Sequence, residues 1–340
     1  MAYSVLLAVL VGAVLVTATS ANYVTLNGRD VQHVPLARPP HELQRTLGTA
    51  AKRSSDADLH AINLVGCSMS TFVANVTVGQ GSAAQTFQLV VDTGSSMLVV
   101  PSSVCTSCAQ EGVTTLYDIA SHLANNATWM GYSVTLVYGS GSANGTVMSD
   151  AVSFGGYTVP GFHFVAIGYS NGLFAPSCNL PSGQMNVHYM QGILGMAYAF
   201  DSITDSFPDT WEQAHSGDGL VFTMAVCTFN GSMWLNGYDE SFVTSAPAFV
   251  PIVQNGYYEI ELVGVQFSDS NGSTIGHSSI LQEAGYDDML TIVDSGTALM
   301  YVPAIVLADL NDFLNNNTEF AYLVGPDFLI STRQTMPILR

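Results

Sequence analysis

Positive charge is nearly absent from this 340-residue sequence, which has seven Lys and Arg residues against 26 Asp and Glu. Between Ser54 and Thr332 there is neither Lys nor Arg, whereas 24 of the 26 acidic residues lie there. A nucleic-acid-binding protein neutralises phosphates with basic side chains, so that class is excluded. Because carboxylates without nearby cations repel one another when ionised, the composition favours a protein that works in acid. A merely soluble acidic secreted protein is the alternative.

Charge of either sign is also scarce, at 10% of residues against about 25% in ordinary globular proteins. Hydrophobic residues make up 48% and aromatic residues 10%, so disorder by composition is excluded. No apolar run reaches the roughly 18 residues of a membrane-spanning helix. A shorter apolar run over residues 5–16 is followed by small residues and predicts a signal peptide at residues 1–21, with an uncleaved signal anchor as the alternative.

A basic segment, residues 22–66, follows the predicted signal peptide and has a composition poorly suited to a core. It holds five of the seven basic residues: Arg29, Arg38, Arg45, Lys52 and Arg53. The last two form a dibasic pair that predicts a processing point. Six N-x-S/T sequons support entry into the secretory pathway and predict glycosylation. Their asparagines are Asn75, Asn126, Asn144, Asn230, Asn271 and Asn316.

Short apolar alternations, punctuated by Gly, Ser and Asn, begin at Phe72 and predict a mainly β protein. The predicted strands are 72–78, 86–91, 133–138, 146–154, 162–167, 220–226 and 257–263. Asn-Gly pairs predict hairpin turns at 144–145, 230–231, 236–237 and 255–256. Helical patterns are found only at 205–215 and 303–315.

Five cysteines are an odd number for a secreted chain. Cys105 and Cys108 are close enough in sequence to form a small local disulfide loop. Half of a zinc site or a redox motif is the alternative for this pair, although no second pair and no nearby His ligands accompany it. The spacing predicts no pairing for Cys67, Cys178 and Cys227.

One internal repeat places two aspartates in the same sequence context. Residues 90–101 read VVDTGSSMLVVP and residues 292–303 read IVDSGTALMYVP, with five of the twelve positions identical. In each copy an apolar strand ends in an aspartate, Asp92 or Asp294, where an unpaired charge is costly. The Gly that follows lets backbone N–H groups approach the carboxylate, and the two flanking hydroxyl residues can donate hydrogen bonds to it.

The two loops, 202 residues apart, are expected to face each other through pseudo-twofold symmetry. Two carboxylates that close cannot both ionise easily, so they share a proton. One can then act as a general base on water while its protonated partner hydrogen-bonds the carbonyl under attack. The repeat therefore predicts a catalytic pair, Asp92 and Asp294, that requires no metal and no cofactor. A single Asp-Thr-Gly is a common turn, and a structural role is the alternative for either copy alone.

These loops and three further motifs resemble the pepsin-like aspartic proteases over about residues 72–315. Residues 138–142, YGSGS, are similar to the hairpin that covers the cleft in that family, the flap. Residues 192–197, GILGMA, are similar to the segment that threads behind the first catalytic loop. Residues 236–239, NGYD, followed by 250–253, VPIV, are similar to the connection between the family's two lobes.

The resemblance implies an all-β, bilobal pepsin-like acid protease fold. A basic propeptide, residues 22–66, would precede an N-terminal lobe, 67–245, with the first catalytic aspartate. A partial C-terminal lobe, 246–340, would carry the second. The implied protein is a monomeric zymogen that is secreted or resident in an acidic vacuole or lysosome. A membrane anchor beyond residue 340 remains open.

The activity implied is that of an aspartic endopeptidase, which hydrolyses protein or peptide substrates in acid. Ser95 and Thr297 would orient the carboxylates, and Tyr138 and Gly139 would help cover the substrate. The full set implied to bind substrate is Gly94, Ser95, Tyr138, Gly139, Ser140, Gly296 and Thr297. A catalytically inactive pepsin-fold binding or inhibitor protein is the alternative. A secreted carbohydrate-binding β-sandwich would explain the strands but not the matched loops.

Two features depart from the family. Val99 stands where the family commonly has Trp, which predicts looser closure of the flap. Only 46 residues follow Asp294, and they contain no second threading segment, so we expect an incomplete C-terminal lobe. On this basis the 340-residue chain is expected to hold Asp294 poorly and to have little or no protease activity.

Overall fold

The structure is a computed structural model, in which the chain divides into two compact units. The larger comprises Val9–Ile260 and Ile292–Leu299, and the smaller comprises Met1–Ala8, Glu261–Thr291 and Met300–Arg340. The structure describes residues 25–26, 29–30, 61–66, 71–174, 190–199, 204–215, 220–226, 230–239, 241, 252, 257–261, 265–268, 274–278 and 290–297. Several predicted features lie outside these ranges, namely the signal peptide, Cys67, Cys178, Cys227, Asn271, Asn316, the 255–256 turn and the 303–315 helix. The predicted lobe boundaries stay a prediction.

Strands dominate the described residues, which confirms the predicted all-β class. In chain order the strands are β1 (Thr25–Leu26), β2 (Arg29–Asp30), β3 (Ala61–Gly66), β4 (Phe72–Val78), β5 (Gln85–Asp92), β6 (Leu98–Pro101), β7 (Thr128–Val137), β8 (Ser142–Phe154), β9 (Tyr157–Asn171), β10 (Ile193–Gly195), β11 (Phe222–Val226), β12 (Asn230–Leu235), β13 (Glu259–Glu261), β14 (Val265–Ser268), β15 (Thr274–Ser278) and β16 (Leu290–Ile292). The helices are a 3₁₀ turn at Gly81–Ala83, α1 (Thr106–Gln110), α2 (Ile119–Leu123) and α3 (Phe207–Ala214).

Ten strands form one sheet in the order β11-β12-β3-β4-β5-β10-β6-β9-β8-β7. Its neighbours are antiparallel except that β10 runs parallel to β5, and β6 runs parallel to β9. Strand β4 also pairs with β8, so the sheet folds back on itself around a core. Large fully buried side chains fill this core, among them Phe87, Phe154, Phe162, Phe164 and Phe207. Among the described residues, two-stranded sheets also join β1 with β2 and β14 with β15.

The end of the basic segment is a sheet strand, so its description as poorly suited to a core is wrong for residues 61–66. Strand β3 lies between β12 and β4 in the ten-stranded sheet, and Leu64 is fully buried. Gly66 is needed at the end of the strand, because a Cβ atom there would lie 2.4 Å from the carbonyl oxygen of Thr71. The apolar alternation of AINLVG was a strand signal that the adjacent positive charge obscured.

Two of the predicted Asn-Gly turns are wrong. Asn144-Gly145 lies inside β8, and Asn230-Gly231 begins β12. A Cβ atom at Gly145 would lie 2.5 Å from Cγ1 of Val165, so this glycine permits close strand packing beside a bulge rather than a turn. Asn236-Gly237, by contrast, does bend the chain out of β12, with Asn236 at a φ of 66°.

The expected disulfide between Cys105 and Cys108 is present and closes the start of α1. Four predicted glycosylation sites have exposed asparagines: Asn75, Asn126, Asn144 and Asn230. Within the described residues, no helix is long and apolar enough to cross a membrane.

A buried polar cluster that the sequence did not reveal ties α2 to the sheet. Oδ2 of Asp150 accepts from the Tyr117 hydroxyl at 3.1 Å and lies 2.7 Å from Nδ1 of His122. Nε2 of His122 lies 2.9 Å from Oε1 of Gln85, an oxygen that also accepts the backbone N–H of Asp118. Both ring nitrogens of His122 thus lie within hydrogen-bond distance of an acceptor oxygen, and His122 and Asp150 are both buried.

Replacing Asp150 with alanine is expected to lower the free energy of unfolding by about 2–6 kcal/mol, because it leaves a buried imidazole and a buried phenol without their acceptor, each at a cost of about 1–3 kcal/mol. Urea unfolding measures the change. Ser153→Ala, which removes an exposed hydroxyl hydrogen bond to Thr158, is the control and is expected to cost less than about 0.5 kcal/mol. Equal effects of the two substitutions would contradict the prediction.

Candidate active site

The first aspartate loop is held from behind by a strand that comes much later in the chain. Strand β5 ends at Asp92, and β10 is inserted between β5 and β6 with Gly195 paired to Asp92. The backbone N–H of Met196 donates to the carbonyl of Asp92 at 2.7 Å. A Cβ atom at Gly195 would lie 2.4 Å from the backbone nitrogen of Met97, so only glycine fits. Residues 192–197 therefore lie behind the first loop, as the motif predicts.

The second loop belongs to the same compact unit and is cross-linked to the first by two hydroxyl side chains. The Thr93 hydroxyl donates to the carbonyl of Val293 at 2.7 Å, and the Ser295 hydroxyl donates to the carbonyl of Val91 at 2.6 Å. Each hydroxyl oxygen also accepts the other residue's backbone N–H, at 3.1 Å from Thr93 and 2.9 Å from Ser295. Sequence reasoning assigned these hydroxyls to their own carboxylates; they bind the opposite loop instead. The sequence signal for this cross-link was the hydroxyl residue that directly follows the aspartate in both copies of the repeat, Thr93 and Ser295.

The carboxylate of Asp92 is buried and held within its own loop. It accepts the backbone N–H of Gly94 at 3.0 Å and a very short hydrogen bond from the Ser95 hydroxyl. Only 7% of Asp92 is exposed to solvent. The structure therefore places Gly94 and Ser95 where the resemblance implied, beside the first carboxylate.

Asp294 is held in the same way, so the expectation that it would be poorly held is wrong. Its carboxylate accepts the backbone N–H of Gly296 at 2.8 Å and the hydroxyl of Thr297 at 2.5 Å. These bonds come from the second loop itself, and the Ser295 cross-link fixes that loop to the first. The local arrangement thus depends on residues 292–297 and on the first loop.

The two carboxylates face each other across the two glycines. A Cβ atom at Gly94 would lie 2.5 Å from Cγ of Asp294, and one at Gly296 would lie 2.2 Å from Oδ1 of Asp92. Neither glycine could therefore carry a side chain without displacing the opposite carboxylate. The sequence repeat predicts this juxtaposition, and the geometry accounts for the glycine in both copies.

Burial and the opposite carboxylate raise the pKa of Asp92 from 3.8 to about 7. Burial is the largest cause, followed by the negative charge of Asp294, whose side chain also hydrogen-bonds Asp92. The hydrogen bonds from Ser95 and Gly94 act in the opposite direction and lower the pKa. At mildly acidic pH the pair can thus hold one proton on Asp92, which is the arrangement that one acid and one base require.

A hairpin with the predicted flap sequence connects β7 and β8. Its turn is closed by Tyr138 and Gly141, each of whose backbone N–H groups donates to the other's carbonyl. Gly139 and Ser140 are exposed at the tip. Burial, and then the charge of Asp92, raise the pKa of Tyr138 above its usual range, so this phenol lies within electrostatic reach of the pair.

The fold and the site define a class: all-β proteins with two matched Asp-Thr/Ser-Gly loops joined by their hydroxyls. The family model described as eukaryotic aspartyl protease matches residues 71–331, and the chain belongs to that family. Its fold is therefore pepsin-like, and the family to which it belongs is one of aspartic peptidases, which are hydrolases.

Several pepsins are among the curated proteins that the chain resembles. Pepsin A of Bos taurus is 28% identical over 72% of this chain and 60% of its own length. Pepsin A of Sus scrofa is 29% identical over 69% of this chain and 56% of its own length. Pepsin-3 of Oryctolagus cuniculus is 29% identical over 70% of this chain and 57% of its own length. The chain thus spans less than two thirds of the length of these curated relatives.

Asp92→Asn is expected to flatten the pH dependence of the unfolding free energy between pH 3.8 and about 7. Because the native pKa of Asp92 is raised, the unfolded state releases this proton first as pH rises. The stability that the protonated carboxyl contributes is complete below pH 3.8 and is lost as pH rises through about 7. Asparagine does not titrate and removes this component of the slope.

Urea unfolding at a series of pH values measures the slope. Ser95→Ala is the informative companion, because it removes a hydrogen bond that lowers the pKa of Asp92 and so extends the loss to higher pH. An Asp92→Asn profile parallel to that of the wild type would contradict the prediction.

Proposed function

We propose that this protein is an aspartic endopeptidase that cleaves protein or peptide substrates in acid through water activated by Asp92 and Asp294. The observation that supports this most strongly is the facing pair of carboxylates, one with a raised pKa, held by matched glycine and hydroxyl donors. Membership of the aspartyl protease family supports the same conclusion. An inactive binding protein would need neither the shared proton nor two matched donor sets.

In the proposed reaction one carboxyl is ionised and the other protonated. The ionised carboxylate takes a proton from a water molecule as its oxygen attacks the scissile carbonyl carbon. The protonated partner donates a hydrogen bond to the carbonyl oxygen, which gains negative charge in the tetrahedral intermediate. Transfer of a proton to the amide nitrogen then allows the C–N bond to break. The nucleophile is water, so this sequence needs no cofactor.

In this proposal four residues orient the two carboxylates: Gly94, Ser95, Gly296 and Thr297. Their N–H and hydroxyl donors fix the plane of each carboxylate before substrate arrives, so little reorganisation is needed during the reaction. The hairpin with Tyr138, Gly139 and Ser140 covers the substrate and limits its contact with water. We further propose that the protein is a glycosylated monomeric zymogen of the secretory pathway.

Asp92→Asn and Asp294→Asn are each expected to lower kcat for peptide cleavage in acid by roughly 10²–10⁴-fold, because an amide can neither take nor give the shared proton. The assay uses a denatured protein as substrate, with near-ultraviolet circular dichroism of each variant as the check on folding. Asp205→Asn is the control. It changes a carboxylate that accepts the backbone N–H of His163, and we expect it to retain activity. Normal turnover by either folded dyad variant would overturn the assignment.

Acidification is expected to activate the zymogen by cleavage in the segment between Lys52 and Gly66. Because β3 occupies Ala61–Gly66 in the sheet, we expect the cleaved bond to lie before Ala61. At neutral pH the five basic residues before Ser54 attract carboxylates of the acidic body. As pH falls, those carboxylates become neutral while Lys and Arg stay charged, so the attraction weakens.

An acid titration followed by N-terminal sequencing tests this mechanism. A variant with Arg29, Arg38 and Arg45 changed to Gln, which keeps the dibasic pair, should lose its propeptide and gain activity at a higher pH than the wild type. A proenzyme that stays intact through the titration, or one fully active at neutral pH with its propeptide attached, would count against it.

A further inference from the structure

Glu111 makes an unusual set of contacts that neither the proposed chemistry nor the sequence motifs use. Its Oε1 accepts the backbone N–H of Gly172 at 2.9 Å. Its Oε2 accepts the Ser170 hydroxyl and the backbone N–H of Phe174, both at 2.9 Å. Hydrogen bonds to an ionised carboxylate are roughly twice as strong as neutral ones. One side chain therefore fixes a five-residue segment, 170–174, through three bonds.

The position of Glu111 is itself tightly held. It follows α1, and its backbone N–H donates to the carbonyl of Ser107 at 3.0 Å. The disulfide between Cys105 and Cys108 closes the first turn of the same helix. The hydroxyl of Ser107 adds a fourth link, because it accepts the backbone N–H of Ser170 at 2.8 Å. The disulfide-closed helix thus provides a rigid anchor for segment 170–174.

Segment 170–174 lies directly against the flap turn. Asn171 pairs with Ser142, where the flap returns into β8. A Cβ atom at Gly141 would lie 2.5 Å from the carbonyl oxygen of Asn171 and 2.7 Å from the backbone nitrogen of Leu173. No side chain fits between these two stretches of backbone, so a shift of the segment moves the turn.

The same segment contributes to the packing of the flap tyrosine. Leu173 and Phe174 are 2% and 1% exposed and belong to the cluster against which Tyr138 packs. Tyr138 in turn is close enough to Asp92 for the carboxylate's charge to act on its phenol. A continuous series of contacts therefore runs from Glu111 through segment 170–174 to Tyr138.

We propose that Glu111 is a positioning residue of the flap: its carboxylate fixes segment 170–174, on which the turn rests, and so sets the position of the turn and of Tyr138. The structural part of this inference stands on the contacts alone. Its consequence for catalysis rests on the proposed function, because the flap matters for turnover only if the dyad is catalytic.

Hydrogen exchange of the 340-residue chain, resolved by residue, tests the structural part without requiring activity. In Glu111→Gln the amide group has one acceptor oxygen, and its NH₂ faces a backbone donor. We expect protection of the Tyr138, Gly141 and Gly172 amides to fall at least tenfold, and further in Glu111→Ala. Amides of β4 and β5 should change less than twofold. Asp205→Asn is the matched control, since Asp205 also accepts an N–H of β9, at His163.

Several exchange results would overturn the proposal. Flap protection within twofold of the wild type in the Gln variant, equal loss in Asp205→Asn, or a uniform loss across β4 and β5 would each show that Glu111 does not position the flap. If the alanine variant fails to fold, the isosteric Gln variant alone decides between these outcomes.

Steady-state kinetics of peptide cleavage test the catalytic consequence. Glu111→Gln is expected to lower kcat/KM at least fivefold and to weaken binding of a peptide whose scissile carbonyl is replaced by a tetrahedral hydroxymethylene group. The Asp205→Asn variant should change neither quantity. A wild-type protein without peptidase activity would refute the proposed function and leave the exchange result to judge Glu111. Lowered flap protection with unchanged kcat/KM and binding would refute the catalytic consequence alone.

Discussion

The reciprocal hydrogen bonds between Thr93 and Ser295 are the constraint on which the site depends. They join two loops 202 residues apart, and each carries a carboxylate toward the other. Four such bonds contribute roughly 2–6 kcal/mol together. That is comparable with the ~4 kcal/mol by which two ionised carboxylates about 4 Å apart repel near a protein surface. The loops can therefore remain facing each other even though their carboxylates oppose it.

Burial turns this enforced proximity into chemistry. Water would screen the repulsion between two exposed carboxylates. Asp92, however, is shielded from water by its own loop and by strand β10 behind it. Its proton is retained because the charged form would be both desolvated and next to another anion. The hydroxyl and N–H donors oppose this shift but do not cancel it, which keeps the acid strong enough to give the proton up.

The sequence predicts the features that depend on local periodicity or on the repeat, and it fails where contacts between distant segments decide. Strand β4 was predicted with its observed bounds because its alternation is strict, and the pairing of Asp92 with Asp294 followed from their matched flanks. The turn predicted at Asn144-Gly145 was wrong because the glycine has another function. It allows close packing against β9, a contact that the sequence does not reveal. His122 gave no signal, since its partners Asp150 and Gln85 are remote in the chain.

The insertion of β10 between β5 and β6 has a consequence for how the protein is made. During synthesis about a hundred residues must follow Asp92 before the strand that completes its loop leaves the ribosome. Until then β5 and β6 each present an unpaired edge, and unpaired strand edges promote aggregation. High contact order at this point also makes closure of the loop slow. The first half of the dyad can thus be assembled only late, after much of the larger unit has been translated.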